Sequence, residues 1–87
     1  MSLFNNGYAK VQEECAELIT AIAKKDACAP SATYWNGDNV FSRVEEEIGD
    51  VLAAIRYVIE ENRLDMDAIT ARAEMKYQTF IRWRDEK

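Results

Sequence analysis

The sequence has no histidine, one proline and two cysteines, Cys15 and Cys28. Without histidine, and with cysteines at no ligand-like spacing, it cannot build a zinc centre of the Cys/His type. It has no apolar run long enough to span a bilayer, so no membrane partner is expected. It has no alternating strand pattern, no internal repeat and no low-complexity tract. The opening Met1-Ser2-Leu3-Phe4-Asn5-Asn6 lacks the basic and apolar regions of a secretion signal. The expected setting is cytoplasmic and reducing, with Cys28 free in a loop and Cys15 serving as a small buried hydrophobe. Positive charge is outnumbered, with Lys and Arg at 11 against Asp and Glu at 16, and the net charge of −5 argues against a general nucleic-acid binder.

At 87 residues and 48% apolar content, the chain reads as a single ordered domain over 1–87, near the size at which a lone core is marginal. A small helical chain of this kind completes its core by pairing with copies of itself, so a dimer or larger assembly is expected.

What is present is helical periodicity. Asn5 or Asn6 is placed to cap a first helix. Tyr8, Val11, Cys15, Leu18, Ile19 and Ile22 then recur at steps of three and four, the mark of one buried stripe. Lys24 and Lys25 suit its carbonyl end. From Asp26 to Asn39 the period stops among Pro30, Ser31, Asn36, Gly37 and Asp38, all turn formers. This loop carries Tyr34 and Trp35, which either pack over the end of the helix pair or form a pocket for a flat base. Asp38 or Asn39 caps a second helix, with Val44, Ile48, Val51, Leu52, Ile55, Val58 and Ile59 as its stripe. Gly49 inside that helix suggests a close backbone approach, since glycine there costs about 1 kcal/mol against alanine. Asp65, with Leu64 before it, opens a third helix. That helix is basic, through Arg72, Lys76, Arg82, Arg84 and Lys87, and ends in Tyr77, Phe80 and Trp83.

Two acidic clusters stand out: Glu13-Glu14-Cys15-Ala16-Glu17 and Glu45-Glu46-Glu47-Ile48-Gly49-Asp50. Glu14 and Glu17 are neighbours on one helix face, as are Glu47 and Asp50, because residues three apart meet there. They flank the apolar stripes rather than opposing them, and Ala21 and Ala54 continue the same shoulders. Side by side, the two helices would bring together four carboxylates, an arrangement that is costly without a cation among them. An all-oxygen site of this kind suits Mg²⁺ or Mn²⁺. Such an ion would bridge phosphate oxygens, and an unligated carboxylate, Glu13 or Glu46 by position, would take a proton from water. The plainer reading of the same residues is a solvated acidic face. An acidic chain is still compatible with nucleotides, because bound metal inverts the local field.

The words Glu-Glu-x-x-Glu and Glu-x-x-Asp, on successive helices, resemble the MazG-like all-α nucleoside triphosphate pyrophosphohydrolases. The likeness runs roughly from Tyr8 to Lys76. It implies an all-α antiparallel bundle of three to four helices per chain, completed by oligomerisation as a dimer or tetramer. Its sites would be built from the helix pair and a neighbouring subunit. It also implies Mg²⁺-dependent cleavage of a nucleoside triphosphate between the α and β phosphates. By motif position, Glu14, Glu17, Glu47 and Asp50 would carry both metal and catalysis. Lys76 falls where the family places a phosphate contact, with Trp35 and Arg82 as further substrate-binding candidates. Phe80 stands where a second basic residue usually follows, and the loop between the motifs is at the long end for the family. Two alternatives are a relative acting on phosphoribosyl-ATP and a catalytically silent helical dimerisation or binding module.

Overall fold

The computed structural model describes residues 4–34 and 36–86; Trp35 lies outside the described residues. A short 3-10 turn, Phe4–Gly7, leads into three helices: α1 (Tyr8–Cys28), α2 (Val40–Asn62) and α3 (Met66–Asp85). The all-α expectation holds. The first helix continues one turn past the lysines, so Cys28 is its last residue and not a loop residue.

Local chemistry sets the helix ends. Gly7 occupies the position before α1 with φ +94°, a left-handed conformation that glycine adopts without penalty. The Asn5 side chain still serves the helix start, accepting from the Ala9 N–H at 2.8 Å. Asn39 caps α2 by accepting from the N–H groups of Phe41 and Ser42. Asp65 caps α3 by accepting from Ala68 N–H at 3.0 Å. Arg63 ends α2 in the left-handed region at φ 52°.

α1 and α2 run antiparallel. At one end, Gly7 faces the Tyr57 ring and Val58 so closely that a Cβ would stand 2.7 Å from Tyr57 Cδ1. Asn62 ties the same end by donating to the Asn6 carbonyl at 3.1 Å. Along the seam the most buried positions are Gly7 just before α1, Glu14 and Ala21 on α1, and Val40, Glu47, Ala54 and Val58 on α2. Apart from Val58, one turn past Ala54, each set is spaced by seven residues, the repeat of helices packed at a small crossing angle. Small residues alternate with glutamate along this seam, so the two backbones approach closely around the acids.

The apolar stripes are buried only in part, against the expectation of full burial: Val58 is buried, and Val11, Leu18, Val44, Val51 and Ile59 are half-buried. Ile19 is 68% exposed, Leu52 62% and Ile48 44%, while Cys15 is half-buried. The seam runs through the acidic shoulders instead, because Ala21 and Ala54 allow closer contact there than the bulky stripe residues would. Among the described residues the fully apolar buried set is Ala21, Val40, Ala54 and Val58, and burying one valine contributes about 1.5–3 kcal/mol. α3 leaves the pair with hardly a contact to it, and it has no buried residue among those described. The result is a flat chain of 42 × 41 × 14 Å. Gly49 faces open space, with nothing within 4 Å of an added Cβ, so it does not mark a close approach inside the chain.

Candidate metal centre and cleft

The seven-residue seam carries Glu14 and Glu47 into the contact between α1 and α2, and Glu17 and Asp50 follow one turn later on the outer side. Each of the four offers a carboxylate oxygen, and these oxygens all lie within 4.8 Å of one another. Glu14 is 8% and Glu47 4% exposed. Oε2 of each is buried without a hydrogen-bond partner. A buried carboxylate oxygen with no donor is costly, and the cost grows when a like charge stands beside it. The donor set is hard oxygen only, which suits a divalent ion of the Mg²⁺ or Mn²⁺ type. The residues therefore fit a divalent cation.

Two cations hold the buried pair from outside. Lys10 Nζ lies 3.3 Å from Glu14, and Arg43 lies 3.5 Å from Glu47. Each sits four residues before its glutamate, and each also reaches the preceding acid: Lys10 pairs with Glu13 and Arg43 with Glu46. The Lys10 pKa is raised by the hydrogen bonds its ammonium donates to Glu13 and then Glu14. One basic residue thus spans an exposed and a buried acid on both helices. The sequence carries this signal as Lys-x-x-Glu-Glu-x-x-Glu against Arg-x-x-Glu-Glu-x-x-Asp, but the basic member escapes notice when only acids are sought. Glu13 and Glu46 end up at the rim, on these cations and outside the four-oxygen cluster.

Glu17 shows the strain of the cluster. Its carboxyl titrates above the usual glutamate range, chiefly because of the Glu14 charge, then desolvation, then Glu47. A raised carboxyl pKa means that the folded chain holds that proton more tightly than the unfolded chain does. In the metal-free protein, Glu17 therefore favours the fold as pH falls through the window between the two values and opposes it above. A cation and a proton compete for the same oxygen.

From the acids a cleft of about 800 Å³ opens along α1 toward the α1–α2 connection. Glu17 and Glu47 lie at one end of its lining, Lys24 and Arg43 are between, and Cys28, Tyr34, Asn36 and Asp38 form the other end. The connection is folded rather than loose: Tyr34 N–H donates to the Asp38 carbonyl at 2.8 Å, and Val40 N–H to that of Ala32 at 2.9 Å. The Tyr34 hydroxyl is buried and unpartnered. Neither Lys76 nor Arg82 is among the cleft residues. On α3, Lys76 Nζ stands over the Phe80 ring at 5.7 Å, and Arg82 reaches Glu86 at 3.9 Å.

No helix among the described residues is long and apolar enough to cross a membrane. No curated protein and no solved structure gives a significant match to the chain. The profile of the MazG nucleotide pyrophosphohydrolase domain does match it, over residues 5–82. That span takes in both acidic words, both cations that hold them and the whole cleft, and the chain belongs to the MazG nucleotide pyrophosphohydrolase family.

Proposed function

We propose that this protein is a Mg²⁺- or Mn²⁺-dependent hydrolase that cleaves nucleoside triphosphates between the α and β phosphates. The products are a nucleoside monophosphate and pyrophosphate. The observation that carries this reading is the pair of buried, unpartnered carboxylate oxygens on Glu14 and Glu47, set among four converging acids in a chain of this family.

In this reading Glu14, Glu17, Glu47 and Asp50 hold the ion. When bound, it supplies neutralisation of phosphate charge and a more acidic water. Lys10 and Arg43 pair with the two buried glutamates and hold their carboxylates in place. Lys24 and Arg43, both in the cleft lining, are within reach of phosphate oxygens and stabilise charge that builds there. Glu13 or Glu46 at the rim accepts the proton of the attacking water. Tyr34, in the cleft lining, offers a flat face for a base, and Trp35 beside it in the sequence is the second candidate.

Lys76 and Arg82 serve as phosphate contacts only if α3 is brought against a cluster it does not touch in its own chain. We assign that to a second copy. The exposed stripe residues of α1 and α2, with Met75, Tyr77, Phe80 and Trp83 of α3 at half exposure or more, then become the interior of a dimer or tetramer. The basic helix of one copy lies beside the acidic pair of another.

The test is product analysis over a panel of nucleoside triphosphates with Mg²⁺. Monophosphate and pyrophosphate in equal amounts, absent when the metal is chelated, is the expected result. Release of single phosphates, or turnover unaffected by chelation, contradicts the reading.

A further inference from the structure

The end of the cleft farthest from the four acids carries a carboxylate of its own. Asp38 lines the cleft there with Cys28, Tyr34 and Asn36, on the connection between α1 and α2. It directly precedes Asn39, the cap of α2. Asn39 stands eight residues before Glu47, about 12 Å at the helical rise. Arg43 lies between them in the same lining, so a cation separates Asp38 from the metal cluster.

Asp38 is held in place by its neighbours. Its N–H donates to Asn36 Oδ1 at 3.0 Å, its Oδ2 accepts from Asn36 Nδ2 at 3.1 Å, and its carbonyl accepts from Tyr34 N–H at 2.8 Å. These bonds leave Oδ1 without a donor among the described residues, and no ion pair among them includes Asp38. A separate observation marks the same end of the cleft as incomplete. The Tyr34 hydroxyl is closed off from solvent and has no partner, a costly state for a polar group. It belongs to the connection and not to the acidic cluster.

We infer that Asp38 is a specificity residue that selects guanine among the bases. This deepens the proposed function and rests on it, since the phosphates then lie beside Lys24 and Arg43 and the base beyond them. A carboxylate only accepts hydrogen bonds, and Oδ2 keeps a lone pair after Asn36 has used one. Two oxygens that accept side by side fit a base edge with two adjacent donors. Guanine has that edge in its ring N1–H and its 2-amino group. Adenine and cytosine put a bare ring nitrogen beside the amino group, and its lone pair opposes the charge. Uracil and xanthine flank the N–H with carbonyl oxygens, which oppose it as well. A site built around fixed polar groups rejects a base that leaves them unpaired.

The experiment measures kcat/KM for GTP, dGTP, ATP, UTP and xanthosine triphosphate, in wild type and in Asp38→Asn, together with Mn²⁺ binding and Tm. Wild type is expected to favour GTP and dGTP over the xanthine nucleotide by about 5–150-fold, the worth of one good bidentate pair to a base. In Asp38→Asn the amide oxygen still accepts from Asn36, and Mn²⁺ binding and Tm stay as in wild type. Its donor and acceptor side by side now match the 2-oxo group and N1–H of xanthine, so the preference reverses. Equal use of GTP and the xanthine nucleotide by wild type overturns the inference, and this ratio carries the test even where the variant fails to fold. A uniform loss across all five nucleotides in the variant overturns it too, as the mark of a structural residue. So does a loss confined to the ribonucleotides, which would place Asp38 on the sugar hydroxyls. Each of these leaves the proposed hydrolysis standing, whereas wild type that turns over none of the five overturns both.

Discussion

At the scale of single residues, what matters most is that two glutamates are buried in a contact that apolar side chains would have stabilised. Glu14 and Glu47 occupy seam positions between small residues, and each has one oxygen with no partner in the chain. Glu47→Gln replaces a repelling charge with an amide able to donate to a neighbouring carboxylate. The metal-free variant is therefore expected to be more stable than wild type by about 1 kcal/mol, a rise of roughly 4–8 °C in Tm for a domain this size. The same change is expected to weaken divalent-ion affinity by at least about 10–100-fold, so that the ion no longer raises Tm. Thermal melts with and without Mn²⁺ separate the two effects. A lower metal-free Tm with the ion-induced rise intact would mean that Glu47 is a structural residue. The four acids were legible in the sequence because spacing alone puts each pair on one face. Lys10 and Arg43 were legible in principle, since each stands four residues before its buried glutamate, but a basic residue next to acids reads as an ordinary surface pair. Cys28, Asn36 and Asp38 became cleft residues only through the folding of the connection, which no local pattern announces.

At the scale of the helices, caps and periods were readable and the packing face was not. Asn39 and Asp65 cap as the sequence suggests because an extended residue with a short side-chain acceptor meets the first free N–H groups. The seam went unread because hydrophobicity points to the Ile and Leu stripe. Closest approach instead follows residue size, so the seam falls along Gly7, Glu14 and Ala21 against Val40, Glu47 and Ala54. Two glycines separate these causes. Gly7 is in the left-handed region with the Tyr57 ring 2.7 Å from a would-be Cβ. Gly7→Ala is expected to cost about 2 kcal/mol from backbone strain and overpacking. Gly49 is helical with open space around it, and Gly49→Ala is expected to stabilise by about 1 kcal/mol. Urea denaturation of both variants checks the opposite signs. Destabilisation by Gly49→Ala would instead place that face inside an interface between copies.

At the scale of the whole molecule, a single chain leaves its largest apolar surfaces uncovered. Ile19 on the α1 stripe, Leu52 on the α2 stripe, and Phe80 and Trp83 at the aromatic end of α3 are all half exposed or more. Size and composition pointed to self-association from the start, and the open faces show where it would act. If α3 of one copy serves the acids of another, two different inactive chains can repair each other. Glu47→Gln and Lys76→Ala, each expected to be nearly inactive alone, should regain turnover when refolded together. A mixed assembly then contains one site with both an intact acidic cluster and an intact lysine. No recovery in a mixture shown by mass to contain both chains would place Lys76 in the service of its own chain or of none.

The most direct measurement is pyrophosphate release from a nucleoside triphosphate by wild type and by the double variant Glu47→Gln, Asp50→Asn, with saturating Mg²⁺. Wild type should release pyrophosphate and monophosphate together, and the double variant should be slower by about 10²-fold or more, a direct ligand mattering at least as much as an outer partner. Equal rates from the two proteins would mean that the acids between α1 and α2 do not hold the ion that works on the triphosphate.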